Sequence, residues 1–170
     1  MTFQPSESSR PEPRASRLRF PRGYQVASGD LEILPWSQVV ERLREAQNYW
    51  LATTCPDDRP HVTPVWGAWV DGALYFDGIS SARWARNIVA NPAAAVHLES
   101  GVDVVILDGV VDDLVVDTAL ASKIVAARDA KYGRLHPAPA TSGMFRFRPR
   151  RARAWSRFPD DATRWKFEEE

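Results

Sequence analysis

The stretch RPHVTPVWGAWVDGALYFDG, Arg59 to Gly78, runs directly into ISSARWARNIVANP, Ile79 to Pro92, and together they decide the fold of this chain. Apolar residues and a proline fill residues 61–70, and a second apolar run covers residues 73–77. Asp71-Gly72 lies between them, and Asp-Gly is a strong signal for a two-residue hairpin turn. The sequence therefore predicts two strands joined by a tight turn.

A helix follows this hairpin with little linker. Its predicted range is about residues 82–90, and Asn91-Pro92 ends it because proline cannot continue a helix. Ser80, Ser81 and Arg83 stand at its start. Free N–H groups and the helix dipole favour anions at such a position. The corner between the hairpin and the helix is therefore a candidate phosphate site, although Ser80 or Ser81 as a simple helix cap is the structural alternative.

Further strands and helices lie on both sides of this corner. Short turns join most of the strands, and the strand–helix–strand alternation of a parallel sheet is missing. The pattern predicts a mainly β fold, a six- to seven-stranded antiparallel β-barrel with peripheral helices. Residues 1–29 are rich in Pro, Ser and Arg and are predicted to be a disordered tail ahead of one domain at 30–170. The other predicted elements are strands at 49–54, 93–99, 102–114, 144–148 and 151–155, a helix from Pro35, and a helix capped by Asp117 that ends near 132.

Composition narrows the functional classes. The chain has 170 residues, a formal net charge of zero and one cysteine, Cys55. Zero net charge gives no overall field that would attract nucleic acid or an anionic membrane. A single cysteine excludes an internal disulfide, and His61, His97 and His136 show no metal-ligand spacing, so we predict no metal site. Without a long apolar run or a secretory segment, we expect a cytoplasmic protein with no membrane contact.

Arginines alternate with aromatic and small residues in the segment 145–157. Arginine with interleaved aromatics is one pattern of nucleic-acid binding proteins. Alternation with a period of two is also what a strand with one apolar and one solvated face requires. The neutral net charge and the acidic chain end favour the strand interpretation, with some arginines at an interface, and we predict no nucleic-acid partner.

Several of these motifs resemble one family. RPHVTPVW, the Asp71-Gly72 turn, LYF at residues 74–76 and RWARNIVANP resemble the pyridoxamine 5′-phosphate oxidase-like split-barrel proteins. HLESGVDVVILDGVV and ATRWKF resemble the deazaflavin-dependent oxidoreductases within that superfamily. The resemblance covers residues 36–167 and implies a homodimer of split β-barrels with an active site at the subunit interface. The implied cofactor is coenzyme F-420, an 8-hydroxy-5-deazaflavin, or alternatively FMN.

The resemblance also implies a set of cofactor-binding residues. In the family, one strand runs beside the flavin ring and the start of the following helix contacts the phosphate. Trp84 departs from the family pattern, because many relatives carry a phosphate-binding lysine there. The implied ring wall is Val62, Thr63, Pro64, Val65 and Trp66, and the implied phosphate residues are Ser80, Ser81, Arg83, Trp84, Arg86 and Asn87.

On this resemblance we expect an oxidoreductase that transfers a hydride between coenzyme F-420 and a small organic substrate, at a C=C bond. No catalytic residue can be named, because the cofactor carries such chemistry. The alternatives are an FMN-dependent oxidoreductase and a non-catalytic flavin or haem carrier with a histidine ligand. Oxidation of vitamin B6 phosphates fits less well, since the lysine is missing at Trp84 and the ending ATRWKF lacks the arginine-rich signature of those oxidases.

Overall fold

The computed structural model describes residues 12–23, 32–133 and 143–168. Within them the chain forms nine strands and three helices. The strands and helices predicted at 49–54, 73–77 and 118–132 are confirmed, the last with Asp117 Oδ1 accepting a hydrogen bond from Leu120 N. The elements are β1 Arg14–Arg17, α1 Trp36–Glu45, β2 Tyr49–Thr54, β3 Pro60–Val65, β4 Gly67–Val70, β5 Ala73–Asp77, α2 Arg83–Ala90, β6 Ala93–His97, β7 Val104–Leu114, α3 Thr118–Tyr132, β8 Met144–Trp155 and β9 Thr163–Lys166.

All nine strands belong to one antiparallel sheet. Its main path is β1-β9-β8-β7-β6-β2-β3, and the β4–β5 hairpin joins it through β8. One edge of the long β8 is shared, because Met144–Phe147 pair with β5 and Arg151–Ala154 pair with β9. The sheet therefore divides at β8 and does not close, and this confirms the predicted antiparallel split barrel.

The predicted strand 61–70 is two strands in the structure. Residues before Trp66 pair with β2, and residues after it pair with β5. Gly67 permits the change of partner, because a Cβ there would lie 2.6 Å from the Tyr75 carbonyl oxygen and 2.9 Å from Leu74 Cδ1. The prediction of one continuous strand over residues 61–70 was wrong, whereas its pairing with residues 73–77 next to the turn is confirmed. This division places the end of β3 beside the end of β5.

Two further differences concern the chain ends. The strands predicted at 144–148 and 151–155 form the single strand β8, with a bulge opposite Asp108 and Gly109. The short strand β1 lies inside the segment predicted as a disordered tail and pairs with β9, which the sequence did not indicate. His136 lies outside the described residues. None of the described helices has the length and apolarity needed to span a bilayer.

Helix α3 covers the β4–β5 hairpin and is held by polar contacts at its end. Ile124, a residue of this helix, is fully buried. Lys131 Nζ donates to Tyr49 Oη at 2.7 Å and to the Gly67 carbonyl at 3.2 Å, while Tyr132 Oη donates to the Gln47 carbonyl at 2.8 Å. Burial lowers the pKa of Lys131 to about 8. The docked helix also brings Arg128 to the end of β5.

Candidate functional site

A groove of about 440 Å³ lies where β3 ends, β5 ends and α2 begins. Two parts of the predicted site meet here, since Pro64, Val65 and Trp66 form one wall and Trp84 contributes from the helix. This size falls within the range of small-molecule sites in proteins. The lining residues are Pro64, Val65, Trp66, Asp77, Gly78, Ile79, Ala82, Trp84 and Arg128.

The start of α2 is not capped by a side chain. Ala82 is the N-cap residue, and neither Ser80 nor Ser81 makes a capping hydrogen bond. The alternative in which one of these serines caps the helix is therefore wrong. The first-turn N–H groups then remain available to an anion. Arg83 and Arg86 are exposed on this helix and make no ion pair with a described residue. The exposed side of α2 is therefore cationic, although neither arginine lines the groove.

Trp84 stands where the resemblance described above places a lysine in many relatives, and the structure shows what it does instead. Its ring packs against Phe76 and Phe145 with centroid distances of 5.4 and 4.8 Å. Gly78 lies against the same indole, because a Cβ there would be 3.0 Å from Trp84 Cη2 and closer still to Cζ2. The side chain is half-buried and lines the groove. Trp84 therefore supplies an apolar floor and no charge.

Seven predicted residues do not line the groove: Val62, Thr63, Ser80, Ser81, Arg83, Arg86 and Asn87. Asn87 is fully buried, and its Nδ2 donates to Thr53 Oγ1 at 3.0 Å, which joins α2 to β2. A ligand cannot reach this amide unless the helix moves. Val62 and Thr63 lie further back on β3, where Val62 is 51% exposed. The part of β3 and its end that lines the groove therefore consists of Pro64, Val65 and Trp66.

Five lining residues were not predicted, namely Asp77, Gly78, Ile79, Ala82 and Arg128; Arg128 is the cation among them. It is 5% exposed, and its guanidinium donates to Asp77 Oδ1 at 2.8 Å. Its Nε is buried and has no hydrogen-bond partner among the described residues. Leaving a charged donor unpaired in this way is costly unless a ligand or water accepts from it. The spacing of residues in the sequence contained a signal for this position. Arg128 follows the buried Ile124 by four residues and so lies on the same, buried face of α3.

The two described histidines lie away from the groove. His61 is on β3, and its Nδ1 is buried without a hydrogen-bond partner among the described residues. His97 Nδ1 lies 2.9 Å from the Leu98 carbonyl, and its ring stacks on Trp50 at 6.3 Å. In the described part of the chain, therefore, no histidine side chain lines the groove. Cys55 is a buried free thiol.

Comparisons with known proteins bear on the fold of the chain. The chain is similar to a conserved hypothetical protein from Mycobacterium tuberculosis, with 21% identity over 77% of this chain and 89% of that one and a TM-score of 0.62. An F-420 reductase is 30% identical over 64% of this chain and 91% of its own, with a TM-score of 0.50. A haem storage protein from Vibrio cholerae is 20% identical over 66% and 88%, with a TM-score of 0.52.

A search of curated proteins gives no match. Identities near 20% establish the shared fold alone. The family assignment comes from a sequence model described as pyridoxamine 5′-phosphate oxidase, which matches residues 36–156. That range contains every strand and helix that builds the groove. The chain therefore belongs to the pyridoxamine 5′-phosphate oxidase-like family.

Proposed function

We propose that this protein is an oxidoreductase that binds coenzyme F-420 in the groove between β3 and α2. It transfers a hydride to or from a small organic substrate, at a C=C bond. The observation that carries the proposal is an apolar wall, Pro64 to Trp66, that meets the uncapped start of α2 at Ala82. The exposed Arg83 follows Ala82 directly. The 30% identity to an F-420 reductase supports the deazaflavin over other cofactors of the family.

The residues present fit a planar ring system that carries a phosphate. Pro64 has no N–H to give to a sheet neighbour, and such residues belong at sheet edges where a ligand can approach. Arg83 and the free first-turn N–H groups of α2 suit the phosphate, because a guanidinium can bind two phosphate oxygens at once. Arg128 Nε is a buried donor that a polar atom of the ligand can satisfy.

When bound, a deazaflavin supplies the hydride, and the protein binds, orients and shields it. Trp84 and Trp66 give the groove apolar surfaces, and Trp66 is held by stacking on Tyr132 with a centroid distance of 5.5 Å. Asp77 fixes the guanidinium of Arg128 at the groove edge. The carboxylate among the described lining residues, Asp77, is engaged with Arg128, so the proton that accompanies hydride addition to a C=C bond would come from solvent.

We expect the active protein to be a homodimer. Val62 and Trp66 are 51% and 49% exposed, and Ile79 is also exposed beside the groove. Such a group of large apolar side chains around a binding site is typical of a protein interface. A second subunit placed there would close the groove and exclude water. Sedimentation at micromolar concentration tests this point, and a monomer alone would contradict it.

The first experiment is a titration of the purified protein with F-420, FMN and haem. We expect F-420 to bind most tightly, with FMN as the nearest alternative. Arg83→Ala should weaken F-420 binding at least about tenfold, because a hydrogen bond to a charged group contributes roughly 1.5 kcal/mol or more. Arg59→Ala is the matched control, since Arg59 is an exposed arginine at the β2–β3 turn whose partner is Asp57. Equal affinity in the Arg83 variant and wild type would contradict the phosphate assignment.

A second experiment separates an enzyme from a carrier. Reduced F-420 is supplied with a panel of enones, and its oxidation is followed at steady state. Turnover supports the oxidoreductase, whereas tight F-420 binding without turnover supports a non-catalytic flavin carrier. Haem binding in preference to both flavins would support the haem alternative. The likeness to a haem storage protein concerns the fold alone.

A further inference from the structure

A second feature lies at the other end of β8, on the outer face of the sheet. Strands β1, β9 and β8 lie side by side there, and their register places cations directly opposite one another. Arg14 faces Lys166, Lys166 faces Arg151, and Arg153 faces Arg164. Directly opposed residues share one face of a sheet. We call this set the cationic lattice; it comprises Arg14, Arg151, Arg153, Arg164 and Lys166.

Like charges directly opposite on a sheet destabilise it. Nearby acidic groups offset little of this repulsion. Asp108 pairs with Arg153 at 2.9 and 3.0 Å, and Arg164 Nε donates to Ser16 Oγ at 2.9 Å. No carboxylate of a described residue lies within ion-pair distance of the other lattice cations. The chain has zero net charge, so this local excess of positive charge is a feature of the fold and not of the composition.

The lattice lines a cavity of about 750 Å³, which is larger than the groove at the start of α2. Its walls are β1, β8 and β9, with Asp108 of β7 as the single acidic lining residue. Binding of single-stranded nucleic acid would need exposed aromatic rings on which bases stack. The aromatic residue in this cavity is Trp165, which is 2% exposed. The cavity therefore fits a compact anion better than a nucleic acid.

We propose that the cationic lattice binds a small multivalent anion, a compound with at least two phosphate or carboxylate groups. Neighbouring lattice positions are about 4.8 Å apart across strands and roughly 6.7 Å apart along a strand, so two anionic groups can be held at once. Arginine forks add bidentate contacts to each group. The bound anion also relieves the cross-strand repulsion, which a neutral ligand cannot do.

This site is separate from the flavin groove within one chain. The groove reaches Asp77, which pairs with Met144 at the start of β8. Arg151 follows Met144 by seven residues, which corresponds to roughly 23 Å along an extended strand. The inference rests on the register and charges of β1, β8 and β9, and it does not depend on the identity of the cofactor.

Calorimetric titration of the full chain with tripolyphosphate and, separately, with citrate tests the proposal. The salt concentration is kept near 50 mM so that screening is modest. We expect saturable binding of one anion per chain. The double variant R151Q/K166Q should bind at least about tenfold more weakly, because two charged contacts are lost. Arg59→Gln, which removes an arginine remote from the lattice, should bind within twofold of wild type.

The two anions distinguish the source of the charge, since tighter binding of tripolyphosphate indicates a phosphate ligand and tighter binding of citrate a carboxylate ligand. Absence of saturable binding by both, or equal binding by wild type and the double variant, would overturn the proposal. So would loss of binding in Arg83→Ala with retention in the double variant, because the anion would then occupy the flavin groove. Thermal melting shows whether the double variant is folded; if it is not, Lys166→Gln alone should weaken binding about threefold.

Discussion

The first and second halves of β8 carry the same alternation of arginine with core-facing residues, yet their arginines lie in opposite electrostatic surroundings. In the first half, Arg146 and Arg148 both bind the carboxylate of Asp112, at 3.1 Å and at 2.7 and 3.1 Å. In the second half, Arg151 and Arg153 face Lys166 and Arg164. In the first half, two arginines share one carboxylate; in the second half, Arg153 pairs with Asp108, and Arg151 has no carboxylate partner among the described residues.

The bulge between the halves explains why the arginines share one face. After Met144, which is also buried, buried residues fall at odd numbers up to Pro149 and at even numbers from Ala152. Arg150 is the extra residue, because Gly109 pairs with Pro149 whereas Asp108 pairs with Arg151. An extra residue of this kind reverses the alternation of a strand. The bulge therefore keeps all four arginines on the outer face while the strand changes its neighbour from β5 to β9.

The largest effect is expected from a substitution that breaks this bulge. In Gly109→Ala, the new Cβ would collide with the Arg148 carbonyl and lie 2.8 Å from Phe147 Cζ. Backbone and a buried ring cannot both yield, so we expect the free energy of unfolding to fall by at least about 3 kcal/mol in urea denaturation. Gly101→Ala is the control, because nothing lies within 4 Å of its Cβ. Similar losses in both variants would contradict this account of the bulge.

The second largest effect is expected from removing the carboxylate of Asp112, which would leave the arginines of the first half without it. Hydrogen bonds from Arg148 lower the pKa of Asp112, so its contribution to stability is present above about pH 4 and is lost as the pH falls further. Asp112→Asn should therefore lower the free energy of unfolding by about 2 kcal/mol at pH 7, and the difference from wild type should shrink below pH 4. Asp113→Asn, an exposed neighbour, is the control. A difference that does not change with pH would contradict the ion-pair explanation.

Alkaline pH provides a measurement that concerns α3 and neither half of β8. Below pH 8, Lys131 is charged in both the native and the unfolded state. Between pH 8 and 10.5, the unfolded chain still holds the lysine proton, whereas the native state has released it. The free energy of unfolding should thus rise with pH, by about 1 kcal/mol in total. It should fall above pH 10, because burial raises the pKa of Tyr49 and the unfolded chain then loses a tyrosine proton that the native state keeps. Lys131→Met should abolish the rise, and Asp112→Asn should retain it. Loss of the rise in both variants would contradict the independence of the two regions.

The smallest effect is expected in the second half of β8. Lys166→Gln removes two like-charge contacts, with Arg14 and Arg151. Without added anions, the variant should be more stable than wild type by about 0.3 kcal/mol, seen as a slightly higher melting temperature. Lys123→Gln is the matched control and should show no gain, because Lys123 binds Asp71 at 2.6 Å. A loss of stability in Lys166→Gln would mean that the lattice is not repulsive.

Much of the fold and part of the site were predictable because their signals are local. The Asp71-Gly72 turn, the Asp117 cap and the period-two strands depend on neighbouring residues, and the structure confirms them. The meeting of Pro64–Trp66 with the start of α2 also followed from the hairpin and the helix in sequence. Arg128 was missed because it reaches the groove from α3, a distant part of the chain, and Asn87 was misplaced because its burial depends on packing against Thr53.

The sequence by itself determined the antiparallel strands and the hairpin, since turn residues and apolar alternation act over a few residues. Its motifs indicated the split barrel and the family through their resemblance to known proteins. Only the tertiary structure decided which charges meet. The segment 145–157 contains regularly spaced arginines, and nothing in that spacing distinguishes Arg148, bound to Asp112, from Arg151, opposite Lys166. Cross-strand neighbours come from parts of the chain that are remote in sequence, and a single bulge sets their register. For that reason the roles of these arginines became visible only in the folded sheet.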